Sequence, residues 1–233
     1  MSQRIIVINP NSSAACTEGI DAALDVLRQG GGPEIECKTL AEGPPGIETQ
    51  AHVDGVVEPL CRLIAAHDDR AAGFVIACFS DPGLHAAREI TAKPVLGIAE
   101  CGVLTALTLG ERFGVIAILA ASLPRHLRFI RAMGVESRFA GERAVGLGVA
   151  ELTDEDKTLA RMIECGRRLQ DGDGADVLIM GCAGMARYRS SLEDATGLPV
   201  IDPTQAAVGM AITAVRLGYA TAAQRGYTNG INF

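Results

Sequence analysis

The chain has 233 residues, a formal net charge of -7, 48% hydrophobic residues and only 4% aromatic ones. That length can bury a sizeable core, and that hydrophobicity belongs to a globular chain rather than a disordered one. An acidic chain without a Lys/Arg stripe argues against nucleic acid and anionic membranes as partners, and scarce aromatics argue against a base-stacking surface.

The predicted elements alternate strand and helix. Ile5 to Ile8 is a buried strand, part of the apolar run Arg4 to Asn9. Asn11 or Ser12 would cap a helix reaching about Arg28. Glu34 to Leu40 alternates like a second strand. A Gly/Pro loop at 42–46 precedes a helix from about Gln50 to Ala66. Phe74 to Ala77 is a third, fully apolar strand that ends at Cys78. Beyond it, Asp81 reads as an N-cap and Pro82 as a first helical residue. Pro94 to Ile98 is the fourth strand. The second half repeats the plan, with a strand at Gly114 to Leu119 and a helix from about Leu123. Weaker strand signals lie at Val135 to Phe139 and Arg143 to Leu147, and a polar helix runs from about Asp154 to Leu169. Val177 to Met180 is a strand ending in Gly181-Cys182-Ala183-Gly184. A helix, the strand Pro199 to Ile201 and a last helix to about Leu217 complete the series.

This order contains a duplication. Cys78 and Pro94 are 16 residues apart, Cys182 and Pro199 are 17 apart, and each pair is followed by a helix ending in Leu-Gly. The expected fold is therefore α/β: two pseudo-symmetric halves, each with a parallel sheet covered by helices, and a site between them. Residues 1–100 with 205–233 would form the first half and 101–204 the second. The N-terminus lacks a signal-peptide layout, and no apolar run nears the roughly 20 residues of a membrane span, so the cytoplasm is the expected location. Seven cysteines, an odd number without a CxxC pair, read as free thiols.

An isolated free cysteine is by default a small buried hydrophobe. Cys16, Cys37, Cys61 and Cys165 keep that reading because they fall within predicted helices or a strand, and Cys101 is a spare. Cys78 and Cys182 differ, since both end a strand at matching places in the two halves. Facing each other across one cleft, they suit stereoinversion at an acidic carbon. One thiolate would remove the proton, and the other thiol would return one to the opposite face.

Four segments carry a resemblance: Asn9-Pro10-Asn11-Ser12-Ser13, Ala77-Cys78-Phe79-Ser80-Asp81-Pro82-Gly83-Leu84, Gly97-Ile98-Ala99-Glu100 and Gly181-Cys182-Ala183-Gly184-Met185. They resemble motifs of the hydantoin and allantoin racemases, within the aspartate/glutamate racemase superfamily. The resemblance implies a two-domain α/β fold, no metal or organic cofactor, and Cys78 and Cys182 as the acid/base pair. It also implies Asn11 as a substrate contact, with carbonyl-binding turns after each cysteine at Phe79, Ser80, Ala183 and Gly184. The family's adjacent threonines are replaced here by Ala117-Ile118-Leu119, leaving Ser122 as the polar residue, which predicts weaker recognition of very polar substrates.

The remaining candidates are weaker. Glu100 could orient a thiol or a substrate amide, or merely sit at a helix start. Arg125, Arg128 and Arg131 are spaced like a solvated helix face. The four histidines share no metal-ligand spacing, and only His85 lies near a cysteine in sequence. No phosphate or dinucleotide loop is present. The resulting expectation is a cofactor-independent racemase of a 5-substituted hydantoin or allantoin, acting on a small molecule and forming a homo-oligomer. An amino-acid racemase, a maleate-type cis-trans isomerase and a non-catalytic binding protein of the same fold are the alternatives.

Overall fold

The computed structural model describes residues 3–29, 31–148, 151 and 154–221. It contains two four-stranded sheets, with all pairings parallel. The first has the order β2-β1-β3-β4, with β1 Arg4–Asn9, β2 Glu34–Thr39, β3 Gly73–Ile76 and β4 Val95–Gly97. The second repeats that order as β6-β5-β7-β8, with β5 Phe113–Ala117, β6 Phe139–Ala144, β7 Val177–Met180 and β8 Val200–Ile201. The helices are α1 Ala14–Ala23, α2 Asp25–Arg28, α3 Gln50–Gly55, α4 Val57–His67, α5 Leu84–Ile90, α6 Ile98–Leu109, α7 Leu123–Ala132, α8 Glu155–Asp171, α9 Arg189–Thr196 and α10 Pro203–Leu217.

The inner strands are apolar throughout because both of their faces are covered. Ile5 and Val7 point into a core shared between the two halves, and Ile6 and Ile8 point into a separate core on the outer side. All four are fully buried, and each such side chain contributes roughly 1.5–3 kcal/mol. Phe113 and Val115 join the shared core, whereas Ile116 belongs to the outer core of the second sheet.

The helix that leaves each sheet packs on the other one. From β4, α6 runs against β5, β7 and β8; from β8, α10 runs against β1, β3 and β4; the two helices also pack together. Small residues permit this contact. A Cβ on Gly102 would come within 2.9 Å of the Pro203 side chain, and Ala106, Ala207 and Ala211 are fully buried at the seam.

Several expectations are corrected in detail. The helix foreseen up to Arg28 is broken at Leu24, and the one over 50–66 is broken at Val56. The two weak strand signals after α7 resolve into one strand, β6. It lies at the sheet edge and is half-buried along its length, so its alternation was diluted. Asp81 does not cap the helix that follows it. That helix starts from Gly83 in the left-handed region (φ 68°), without a side-chain cap.

Candidate active site

The site is built at the carboxyl ends of β3 and β7, on two turns of the same design. The residue before each cysteine extends the ladder to the first strand of its half: Ala77 N–H donates to Ile8 O and Gly181 N–H to Ile116 O, both at 2.8 Å. Each turn is then closed by an i→i+3 bond, Asp81 N–H to Cys78 O at 2.9 Å and Met185 N–H to Cys182 O at 3.2 Å. In both turns the N–H two residues beyond the cysteine, that of Ser80 or Gly184, donates to the sulfur. Both cysteines are partly buried and line one cavity, together with Asn11, Ile47, Ala77, Phe79, Ser80, Ile118, Ser122, Arg125, His126, Gly181 and Ala183.

Burial dominates the acidity of both thiols. It pushes Cys78 up to about 12, against the opposing pull of the Ser80 N–H and the nearby Arg125 charge. It raises Cys182 as well, and there the neighbouring thiols and Glu48 raise it further. Each sulfur thus rests as the neutral thiol. Cys182 sits at the head of the 3-10 turn Ala183–Tyr188, but Cys78 is separated from α5 by a five-residue turn, 79–83. Burial outweighs what these turns supply.

Asn11 is fixed before any ligand arrives. Its Oδ1 accepts from Asn9 Nδ2 and from Ser13 N–H, both at 2.9 Å, which leaves its amide N–H groups as donors. One of them points at the Cys16 sulfur, 3.6 Å away. Cys16 carries no function on sequence grounds, yet its sulfur stands in the field of both Cys78 and Cys182. It also lines an open groove next to the cavity with Ser12, Gly184 and Arg187. Ser122 Oγ donates to Leu119 O at 2.7 Å and keeps acceptor capacity toward the cavity.

Of the residues singled out in the sequence, Asn11, Cys78, Phe79, Ser80, Ser122, Cys182 and Ala183 meet in the cavity, and Gly184 lies in the adjoining groove. Glu100 is held elsewhere, by Arg88 at 2.5 Å. Sequence reasoning missed Arg125 and His126. Arg125 is not part of a solvated face: it is half-buried, lines the cavity and donates from Nε to Ser80 Oγ at 2.9 Å. His126 is buried against Phe79, with Nδ1 2.5 Å from Glu142 Oε1 and Nε2 3.5 Å from Ser80 Oγ. His85 lies exposed on α5. Carrying the duplication back to β1 and β5 would have found the missed pair, since α7 answers α1 and its first turn faces the same cleft.

Comparison with known proteins agrees with this architecture. Residues 5–211 match the family described as Asp/Glu/Hydantoin racemase. A hydantoin racemase of Pseudomonas sp. (strain NS671) is 36% identical, covering 96% of this chain and 90% of its own. A hydantoin racemase of Paenarthrobacter aurescens is also 36% identical, covering 96% of both chains. The solved structure of an allantoin racemase from Klebsiella pneumoniae superimposes with a TM-score of 0.90 at 34% identity, over 100% of this chain and 95% of that one. On this footing the chain belongs to the Asp/Glu/hydantoin racemase family.

Proposed function

We propose that this chain racemises a 5-substituted hydantoin, or allantoin, with Cys78 and Cys182 as the two acid/base groups. The observation that carries the reading is the pair of matched turns that bring both thiols to one cavity. The C5 proton of a hydantoin lies beside a carbonyl, so its removal gives a delocalised enolate. In this reading the Asn11 amide donors, together with N–H groups of the two cysteine turns, stabilise oxygen charge as it develops. One sulfur takes the proton as the enolate forms, the other delivers a proton to the opposite face, and the two exchange protonation states with each turnover. No electron transfer or added group is required. Both thiols rest protonated, so a cycle begins when one of them gives its proton to solvent against its raised pKa; that thiolate then takes the C5 proton while the other thiol gives up its own. The Ser80 and Gly184 N–H groups offset part of that cost.

The test uses each pure enantiomer in deuterated buffer, followed by proton NMR and polarimetry and corrected for spontaneous exchange. Cys78→Ser and Cys182→Ser should each lower racemisation by roughly 10²–10⁴-fold, the usual weight of one acid/base group. Each variant should still exchange deuterium into one enantiomer, with opposite preferences. A variant that continues to racemise would remove its cysteine from the mechanism.

A further inference from the structure

Arg125 is the one cationic side chain lining the cavity that has no carboxylate within ion-pair distance among the described residues. Its Nε is anchored by Ser80, and Nη1 and Nη2 have no hydrogen-bond partner among the described residues. The acidic groups around it are engaged by others. Glu142 is buried and held by His126. Asp54 accepts from Gln50, which in turn accepts from Arg128 at 2.9 Å. The neighbouring Cys78 rests as a neutral thiol and is no standing counter-ion. Burial disfavours the half-buried guanidinium, and Glu142 and Asp54 offset this from beyond ion-pair distance, so an anionic ligand at its free edge would add a direct partner; that edge has the planar fork that matches a carboxylate. The polarity absent from Ala117 and Ile118 is thus supplied to the same cavity by Arg125, Ser80 and His126.

We infer that Arg125 is a specificity residue that takes a carboxylate on the C5 substituent, so that the preferred substrates are hydantoins with a short acidic side chain. The inference rests on the proposed hydantoin chemistry and goes beyond it by naming the substrate class. It also reverses the expectation of a site suited to apolar side chains.

The experiment compares kcat/KM of the full chain for 5-(2-carboxyethyl)hydantoin and its neutral isostere 5-(2-carbamoylethyl)hydantoin, with 5-isobutylhydantoin as an apolar control. The carboxylate should be preferred over the amide at least about tenfold, as one charge-assisted hydrogen bond would provide. Arg125→Gln should bring that ratio near one, mainly through the carboxylate's KM, and Arg125→Lys should keep part of it. Two results overturn the inference: a wild-type ratio near one, or a ratio that survives Arg125→Gln while both substrates slow together. The second would assign Arg125 to the Cys78 thiolate instead. The wild-type comparison needs no variant to fold. If isobutylhydantoin is racemised without a carboxylate preference, only this inference falls; if no hydantoin is racemised, the proposed function falls with it.

Discussion

The two cysteine turns share their hydrogen bonding but differ three residues beyond the sulfur, where the first has Asp81 and the second Met185. The helix after the next strand needs a cap in both halves, because its first N–H groups have no partner within the helix. In the second half β8 runs into Asp202, whose Oδ1 accepts from Thr204 and Gln205 N–H at 2.8 and 3.1 Å. In the first half the corresponding residue is Gly97, and Asp81 reaches across to Ala99 and Glu100 N–H at 2.9 and 2.8 Å. A Cβ on residue 97 would collide with the Asp81 carboxylate. Asp81 adopts φ 42°, a left-handed backbone that Asp tolerates better than most residues. The same local need is therefore met from within one half and from the cysteine turn in the other. Only the Cys78 turn is tied by a buried carboxylate to α6, the helix that packs on the opposite sheet.

The thiols differ in charge environment too, and this carries the largest expected effect. At Cys78 the Asp81 carboxylate disfavours the thiolate and Arg125 favours it, whereas at Cys182 the neighbouring thiols and Glu48 all disfavour it and no cation among the described residues opposes them. With iodoacetamide at pH 8, peptide mass mapping should find Cys78 modified at least about tenfold faster than Cys182, the weight of one pKa unit in thiolate fraction. Both rates should climb by about tenfold per pH unit between pH 7 and 10, since both thiols titrate well above that range. Earlier modification of Cys182, or a plateau below pH 9, would show that the two environments have been misjudged.

The capping difference can be broken and rebuilt. Asp81→Ala removes the α6 cap and should cost about 1–2 kcal/mol in urea unfolding. Gly97→Asp alone forces a second carboxylate into the space of the first and should also destabilise. The double variant transplants the arrangement of the second half, with the cap supplied at residue 97, and should be more stable than either single variant. Additive losses in the double variant would mean that the cap is not transferable and that Asp81 matters chiefly through its own turn.

Apolar strands between helices and the doubled Cys…Pro spacing made the architecture legible in the sequence, because buried parallel strands announce themselves by composition. The lining of the candidate cavity was legible where the duplication could be read, at Cys78 and Cys182, and where the resemblance supplied Asn11 and the turns. Arg125 and His126 stayed hidden because a helix spacing of charged residues does not say which of them sits in the first turn over a cleft. Asp81 was recognised as a cap but assigned to the wrong helix. Its true partners lie 18 and 19 residues on, brought there by the β3–β4 pairing rather than by local sequence.

The pH dependence of stability tests the cap supplied by the cysteine turn. Burial raises Asp81 from 3.8 to about 7, although two backbone N–H bonds pull the other way, and it raises Asp202 as well. A carboxyl with a raised folded-state pKa binds its proton more tightly folded than unfolded. Its contribution is fully present below pH 3.8, declines as pH rises, and is gone above about pH 7. The lowered carboxyls, among them Glu36 and Asp176, act with the opposite sign in more acidic solution, so the informative quantity is a difference between proteins. Asp81→Asn removes the titrating group and keeps one acceptor for the α6 cap; any loss from the missing second acceptor is a constant offset. The melting temperature of wild type minus that of Asp81→Asn should therefore fall as pH rises from 4 to 7 and level off above it. The rise from 3.8 to about 7 is worth up to roughly 4 kcal/mol, and about 1 kcal/mol moves a chain of this size by about 2–4 °C, so the change should reach about ten degrees if the full shift is present. A flat difference across that window would mean that the two N–H bonds keep Asp81 ionised throughout. The tie between the Cys78 turn and α6 would then be a permanent charge rather than one that loosens as the solution approaches neutrality.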